Sequence, residues 1–154
     1  MKQLVKNNRT GKVTIEEVPL PSLSKGQVLV KNIYSAISLG TELASVRIAE
    51  KSLLSKARSR PDDFNKFLAL AKKEGYINAF KIALNKLGIP APLGYSCVGE
   101  IIRVAPNIKS FKKGDLVACG GGNYASHAEV VCVPSNLCVR LPKSIDLEQA
   151  AFTT

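Results

Sequence analysis

Tryptophan is absent from this 154-residue chain, and histidine and methionine occur once each. Aromatic residues amount to 6%, five Phe and four Tyr, few for a surface that must stack on unpaired nucleotide bases. No run of about 18 apolar residues occurs, so no segment predicts a membrane-spanning helix. At the N-terminus only Gln3 to Val5 separate one charge from the next, which leaves no hydrophobic core for a secretory leader. The four cysteines, Cys97, Cys119, Cys132 and Cys138, are separated by 21, 12 and 5 residues. That spacing contains no C-x-x-C pair and is too sparse for a disulfide scaffold. A cytoplasmic location is the expectation. Against these shortages stand 45% hydrophobic residues and a mean hydropathy of +0.06, which exclude a wholly disordered chain. The length suits one domain, burying about two thirds of what its unfolded chain exposes.

Acidic residues are also scarce: 12 against 22 Lys and Arg, for a net charge of +10. Residues 43–92 hold ten of the cations (Arg47, Lys51, Lys56, Arg58, Arg60, Lys66, Lys72, Lys73, Lys81, Lys86) and four acids, a net of +6. More than half of the excess therefore lies in a third of the chain. Such a face attracts acidic partners, and equally it is what a solvated helical surface looks like.

Three zones follow from the periodicities. Residues 1–40 read as strands: Val13, Ile15 and Val18 are β-branched, Pro19, Pro21 and Ser24-Lys25-Gly26 interrupt, and Val28 to Ile33 resume. Residues 94–141 read as further short strands at 98–104, 116–119, 128–133 and 139–141, punctuated by glycine, proline and asparagine. Between them the period changes. Val46, Ala49 and Leu53, then Phe64, Phe67, Leu68 and Ala71, then Phe80, Ala83, Leu84 and Leu87 recur at helical spacing. Pro61-Asp62-Asp63 predicts a helix start, and Gly75 and Gly88 predict stops. The fold expected is mainly β, a small partly open barrel interrupted by a helical insertion at about 43–90. Ser144 to Thr154 begins an apolar helix that runs to the last residue, from which a longer parent protein is expected.

The densest pattern is Leu93-Gly94-Tyr95-Ser96-Cys97-Val98-Gly99-Glu100, then Phe111-Lys112-Lys113-Gly114-Asp115-Leu116-Val117, then Gly122-Asn123-Tyr124-Ala125-Ser126-His127-Ala128-Glu129. Gly94 and Gly99 allow a turn and a close backbone approach, and Gly114-Asp115 a tight turn between strands. Together these residues resemble the N-terminal, GroES-like catalytic domain of the medium-chain dehydrogenase/reductase superfamily, the alcohol dehydrogenase type. Its pattern runs G-H-E-x-x-G-x-V, F-x-x-G-D-x-V and G-x-x-A-E-Y. The resemblance covers about 1–42 and 89–154. With Ile37-Ser38-Leu39-Gly40-Thr41-Glu42 and the basic insertion, it is similar to a zinc-less branch. Members of that branch carry threonine-dehydrogenase-like or bacteriochlorophyllide-dehydrogenase-like labels, and some are fused to a second oxidoreductase domain.

The resemblance implies a substrate-side domain that works with NAD or NADP held on a following Rossmann domain. No G-x-G-x-x-G occurs in this sequence, and Gly120-Gly121-Gly122 reads as a strand turn. The family binds zinc through a cysteine, a histidine and a later cysteine or glutamate. Here Ser38 stands at or beside the cysteine position, Tyr95 replaces the histidine and Ser96 replaces the acid of G-H-E. Neutral hydroxyls are not usual zinc ligands, so no metal is expected. Thr41 aligns with the hydroxyl that contacts substrate oxygen in the family. The catalytic candidates are Thr41, Tyr95 and Ser38. Tyr95 reads either as a hydrogen-bond donor to a substrate carbonyl or as a wall residue. Ser38 and Ser96 are each open to a purely structural role. Thr41 also reads as a helix N-cap, with Glu42 as a first-turn acid. His127 reads as structural before it reads as a general base.

The implied parent is a zinc-independent NAD(P)-dependent oxidoreductase acting on an alcohol or carbonyl. The 154 residues alone are expected to be inactive and to bind no cofactor themselves. The expected partners are a small-molecule substrate, anionic if the basic face holds it, the Rossmann domain, and a second copy in a homo-oligomer. A non-enzymatic basic barrel that binds nucleic acid or anionic ligands is the alternative; a co-chaperonin leaves the helical insertion unexplained.

Overall fold

The computed structural model describes residues 1–50 and 61–152. Leu53 and the cations Lys51, Lys56, Arg58 and Arg60 lie outside the described residues. In chain order the strands are β1 (Lys2–Asn7), β2 (Val13–Glu17) and β3 (Gln27–Ser35), followed by α1 (Leu39–Glu50), α2 (Pro61–Glu74) and α3 (Tyr76–Gly88). Then come β4 (Pro90–Pro92), β5 (Ser96–Val104), β6 (Leu116–Gly120), β7 (Val130–Pro134), a 3-10 turn at Ser135–Leu137, β8 (Cys138–Arg140) and α4 (Leu147–Ala150). The strands form two open sheets, β2-β1-β4 and β7-β3-β5-β6-β8. No described helix is long and apolar enough to cross a membrane.

The chain divides into two compact units. One comprises Met1–Val5, Thr14–Leu39 and Pro92–Thr154; the other comprises Lys6–Val13 and Gly40–Ala91.

In the first unit the five-stranded sheet is covered on both sides, and side-chain alternation sorts residues between the faces. Val28, Val30, Cys97, Ile101, Val117, Cys119, Val131 and Val133 form the main core, with Phe111, Ile108 and Leu137 packed against it. The intervening positions Val98 and Ala118 face the other way and meet Ala36, Ala150 and Ala151, with Leu141 and Leu147 at the margin. Alanines at this second contact let the short α4 lie close to the sheet. Asp146 starts α4 by accepting the backbone N–H groups of Glu148 and Gln149 at 2.8 and 3.3 Å.

Two glycines in the motif segment are required by crowding. At Gly99 a Cβ would lie 2.2 Å from the Lys31 carbonyl oxygen, across the β3–β5 pairing. At Gly94, where φ is +96°, a Cβ would lie 2.7 Å from the His127 nitrogen.

The turn before β6 is held by a buried carboxylate. Asp115 Oδ2 accepts the Lys112 N–H at 2.9 Å and Arg140 Nε and Nη2 at 3.1 and 2.9 Å. Arg140 also donates to the Ser110 carbonyl and lies 5.7 Å from the Phe111 ring centre. The Lys112 N–H holds the Asp115 pKa below its ordinary value; burial opposes this, and Arg140 reinforces it. A lowered folded pKa contributes stability that is complete above the unfolded value of about 4 and is lost as pH falls through the folded one. Asp115→Asn is therefore expected to cost about 1 kcal/mol at neutral pH, modest because half of Arg140 is in water. The difference from the parent should shrink below about pH 4. Urea midpoints measured across that range check it, and a pH-independent difference would refute the charge-based account.

In the second unit, α2 begins at Pro61 as the sequence predicts, and ends at Glu74 just before Gly75. α2 and α3 pack together and bury Ala71 and Ala79. Helix α1 starts at Leu39, inside the zone read as strands.

Candidate functional site

Two of the candidate residues, Ser38 and Tyr95, lie on the segments that flank one end of the β3–β5 pair. Ser35 lies opposite Cys97, and the Ala36 N–H donates to the Ser96 carbonyl at 3.0 Å. One step further, the chain leaving β3 reaches Ser38, while the chain entering β5 supplies Tyr95. The turn after β6 meets the same end: the Gly121 N–H donates to the Tyr95 carbonyl at 2.8 Å. Tyr95 and Ser38 are both half-buried. Ser38 directly precedes α1, the place where a hydroxyl usually caps a helix. Thr41 is exposed and lies inside the first turn of α1, with Glu42 beside it, so the N-cap reading of Thr41 is corrected by the earlier helix start. Thr41 belongs to the second unit, and Tyr95 and Ser38 to the first.

Two residues weighed for chemistry have structural partners. Ser96 is buried, and its hydroxyl donates to the Ala151 carbonyl at 2.6 Å, tying α4 to the sheet. His127 is 9% exposed, and its Nδ1 lies 2.8 Å from Ser35 Oγ. Its N–H donates to the Leu93 carbonyl, and its carbonyl accepts the Leu4 N–H, both at 2.8 Å. It sits in a bend before β7 and not within a strand, because the strand begins only at Val130. The groove that His127 lines, with Lys2, Gln3, Asn32, Ser35 and Glu129 among its walls, does not include Tyr95 or Ser38.

The thiols form a row that residue spacing alone did not reveal. Cys97 faces Cys119 across β5–β6, and Cys119 faces Cys138 across β6–β8 with sulfurs 3.6 Å apart. For Cys119 the hydrogen bond with Cys138 acts downward, but the Cys97 contact and burial outweigh it, so the thiol stays protonated. Cys138 is pushed up by its bond to Cys119 and by burial. Burial of free thiols is the usual case, and Cys97 follows it; Cys132 does not, being only partly covered, and its thiol donates to Gln27 Oε1 at 3.2 Å. Tyr34, half exposed, is raised by the charge of Glu148, by the hydrogen bond to it and by Asp146.

Among the described residues no three His, Cys, Asp or Glu side chains converge as a metal site requires. The donors at the end of β3–β5 are neutral hydroxyls, which do not fit zinc. Gly120 ends β6 and the turn that follows at 122–124 leads into no helix, so it lacks the N–H fan that holds a pyrophosphate.

Residues 68–143 match the family model of the alcohol dehydrogenase GroES-like domain. The match takes in the glycine-rich segment from Gly94 to Gly122. A quinone oxidoreductase of Pseudomonas aeruginosa is 38% identical to this GroES-like domain over 64 residues, 42% of this chain and 20% of its own. Galactitol-1-phosphate dehydrogenase from Escherichia coli superposes with a TM-score of 0.66 at 18% identity, covering 99% of this chain and 41% of its own. Escherichia coli quinone oxidoreductase, solved with NADPH, gives 0.64 at 16% identity, covering 100% and 37%. The GroES-like fold is thus shared with members of the medium-chain dehydrogenase/reductase superfamily, and this chain spans well under half the length of each.

Proposed function

We propose that this chain is the substrate-side domain of a zinc-independent, NAD(P)-dependent oxidoreductase that acts on an alcohol or carbonyl group. The observation that supports the reading is the end of the β3–β5 pair, where the backbone next to Ser38 and Tyr95 is tied by Ala36–Ser96 and Tyr95–Gly121 hydrogen bonds. The match to the alcohol dehydrogenase GroES-like domain supports an oxidoreductase, and a structural neighbour solved with NADPH supports the cofactor class. NAD(P)H supplies the hydride when bound; the whole protein, with a Rossmann domain after residue 154, carries it. This chain's residues act on the other side of the reaction. The Tyr95 hydroxyl donates to the carbonyl oxygen on which negative charge develops, and Ser38 is a further hydroxyl contact for substrate oxygen. With hydroxyls in place of thiolate and imidazole, charge is stabilised by hydrogen bonds and not by a Lewis acid.

The test uses the whole protein, with a panel of carbonyl substrates and NADH or NADPH consumption followed by the absorbance of the reduced nicotinamide. Turnover that persists unchanged after exhaustive treatment with a zinc chelator is expected. The 154 residues alone should show none. Activity that a chelator abolishes and zinc restores would overturn the zinc-independent assignment; no turnover with any carbonyl or alcohol would overturn the reaction class.

A further inference from the structure

The helical hairpin of the second unit has a surface that the oxidoreductase reading does not use. Its two helices, α2 and α3, bury only Ala71 and Ala79 among their described side chains. Six of their large apolar side chains stay out, while Phe67, Leu70 and Leu84 are half-buried. Tyr76 is 68% exposed, Ile77 76% and Phe80 49%, and Ile82, Phe64 and Leu68 are also exposed. Tyr76, Phe80 and the half-buried Leu84 recur every fourth residue along one side of α3, and Phe64 and Leu68 do so on α2. Phe64 is not isolated, since its ring stacks with Phe67 at 6.4 Å. A soluble hairpin stabilised only for itself would gain from turning such residues inward.

Charge on the same hairpin selects the partner. From Pro61 to Gly88 the hairpin carries five lysines (Lys66, Lys72, Lys73, Lys81, Lys86) and three acids; Asp62 and Asp63 sit in the first turn of α2, and Glu74 is the one acid beyond it. Lys72 and Lys73 close α2, and Lys66, Lys72, Lys73 and Lys81 are all exposed. The cations are lysines throughout. They are compact hydrated charges suited to a diffuse negative surface, whereas a site built for one bound phosphate would favour the fixed fork of arginine. A second copy would bring like charges together. A nucleic acid would answer the lysines but leave Ile77, Phe80 and Ile82 in water, since aliphatic side chains gain nothing from a phosphate backbone. Exposed aromatic and aliphatic side chains interleaved with lysine suit a helix lying in the headgroup layer of an anionic bilayer.

We propose that the α2–α3 hairpin docks this protein onto an anionic lipid surface. The apolar side chains of α3 enter the acyl boundary, while the lysines remain at headgroup level. This docking is independent of the catalytic reading, so either can fail alone.

The experiment is flotation of the protein with vesicles of phosphatidylcholine alone or of phosphatidylcholine mixed with phosphatidylserine. Partitioning at least about tenfold stronger onto the serine-containing vesicles is expected at low salt, weakening steeply as salt is raised. An Ile77→Ser/Phe80→Ser variant alters only exposed side chains, and its circular dichroism should match the parent. A Lys72→Gln/Lys73→Gln/Lys81→Gln variant leaves the apolar face intact. Each is expected to lose about tenfold or more in partitioning. Equal binding to both vesicle types, or none, overturns the proposal without any variant. Binding that both folded variants retain places the contact elsewhere and also overturns it. So does concentration-dependent self-association, or duplex DNA binding, that replaces lipid binding.

Discussion

Gly99→Ala is expected to cost about 3 kcal/mol or more, enough to remove most of the stability of a domain this size. The Cβ would stand 2.2 Å from the Lys31 carbonyl oxygen, 2.9 Å from its carbon and 2.8 Å from Val30 Cγ1. The Val30 methyl could turn aside, but the Lys31 backbone has nowhere to go. β3 lies between two neighbours, and Lys31 pairs with Glu100 on one side and Val130 on the other. Retreat would therefore break the central ladder of the five-stranded sheet. Gly40 is the matched control: it lies in α1, and nothing stands within 4 Å of its would-be Cβ. Gly40→Ala should leave the urea midpoint unchanged or raise it, by up to about 1 kcal/mol from helix propensity. A Gly99→Ala protein that unfolds at the parent's midpoint would show that β3 and β5 are not packed as described.

Tyr95→Phe in the whole enzyme is expected to lower kcat about a hundredfold with little change in KM. Loss of one donor to a developing oxyanion typically costs 10²–10³-fold, roughly 3–4 kcal/mol of barrier. The substitution removes one oxygen, and the Tyr95 backbone stays tied by the Gly121 N–H. Ser96→Ala provides the contrast. That hydroxyl is committed to the Ala151 carbonyl, so its loss should lower stability and leave kcat nearly unchanged. Single-turnover kinetics on both variants separates the two effects. An unchanged kcat in Tyr95→Phe would make the ring a wall of the cleft.

Much of the architecture was legible because β-branched runs and turn residues carry local information. β3, β5, β6, β7 and β8 lie within a few residues of where the sequence predicts strands, and α2 starts on Pro61. β1 lies in the zone read as strands but without bounds of its own, because Lys2 and Lys6 break the apolar signal of so short a segment. β4 escaped notice because Pro90 and Pro92 argue against a strand; it is tolerated only as an edge, next to β1. The early start of α1 was hidden by Gly40, a residue that by propensity does not belong in a helix.

Roles of individual polar groups were far less legible. Ser96 was one of several hydroxyls near a motif until its partner, 55 residues away, showed it to be an anchor for α4. His127 was a lone histidine until Ser35, 92 residues away, was placed against it. Cys119 and Cys138 became a thiol pair only through β6–β8 register. The sequence by itself determined the mainly β class, the helical insertion and the basic excess, because composition and local periodicity carry all of these. Tertiary structure alone decided which hydroxyls anchor the fold and which stand at the end of β3–β5. A hydrogen-bond partner is selected by strand register and packing, and neither is written in the spacing of residues along the chain.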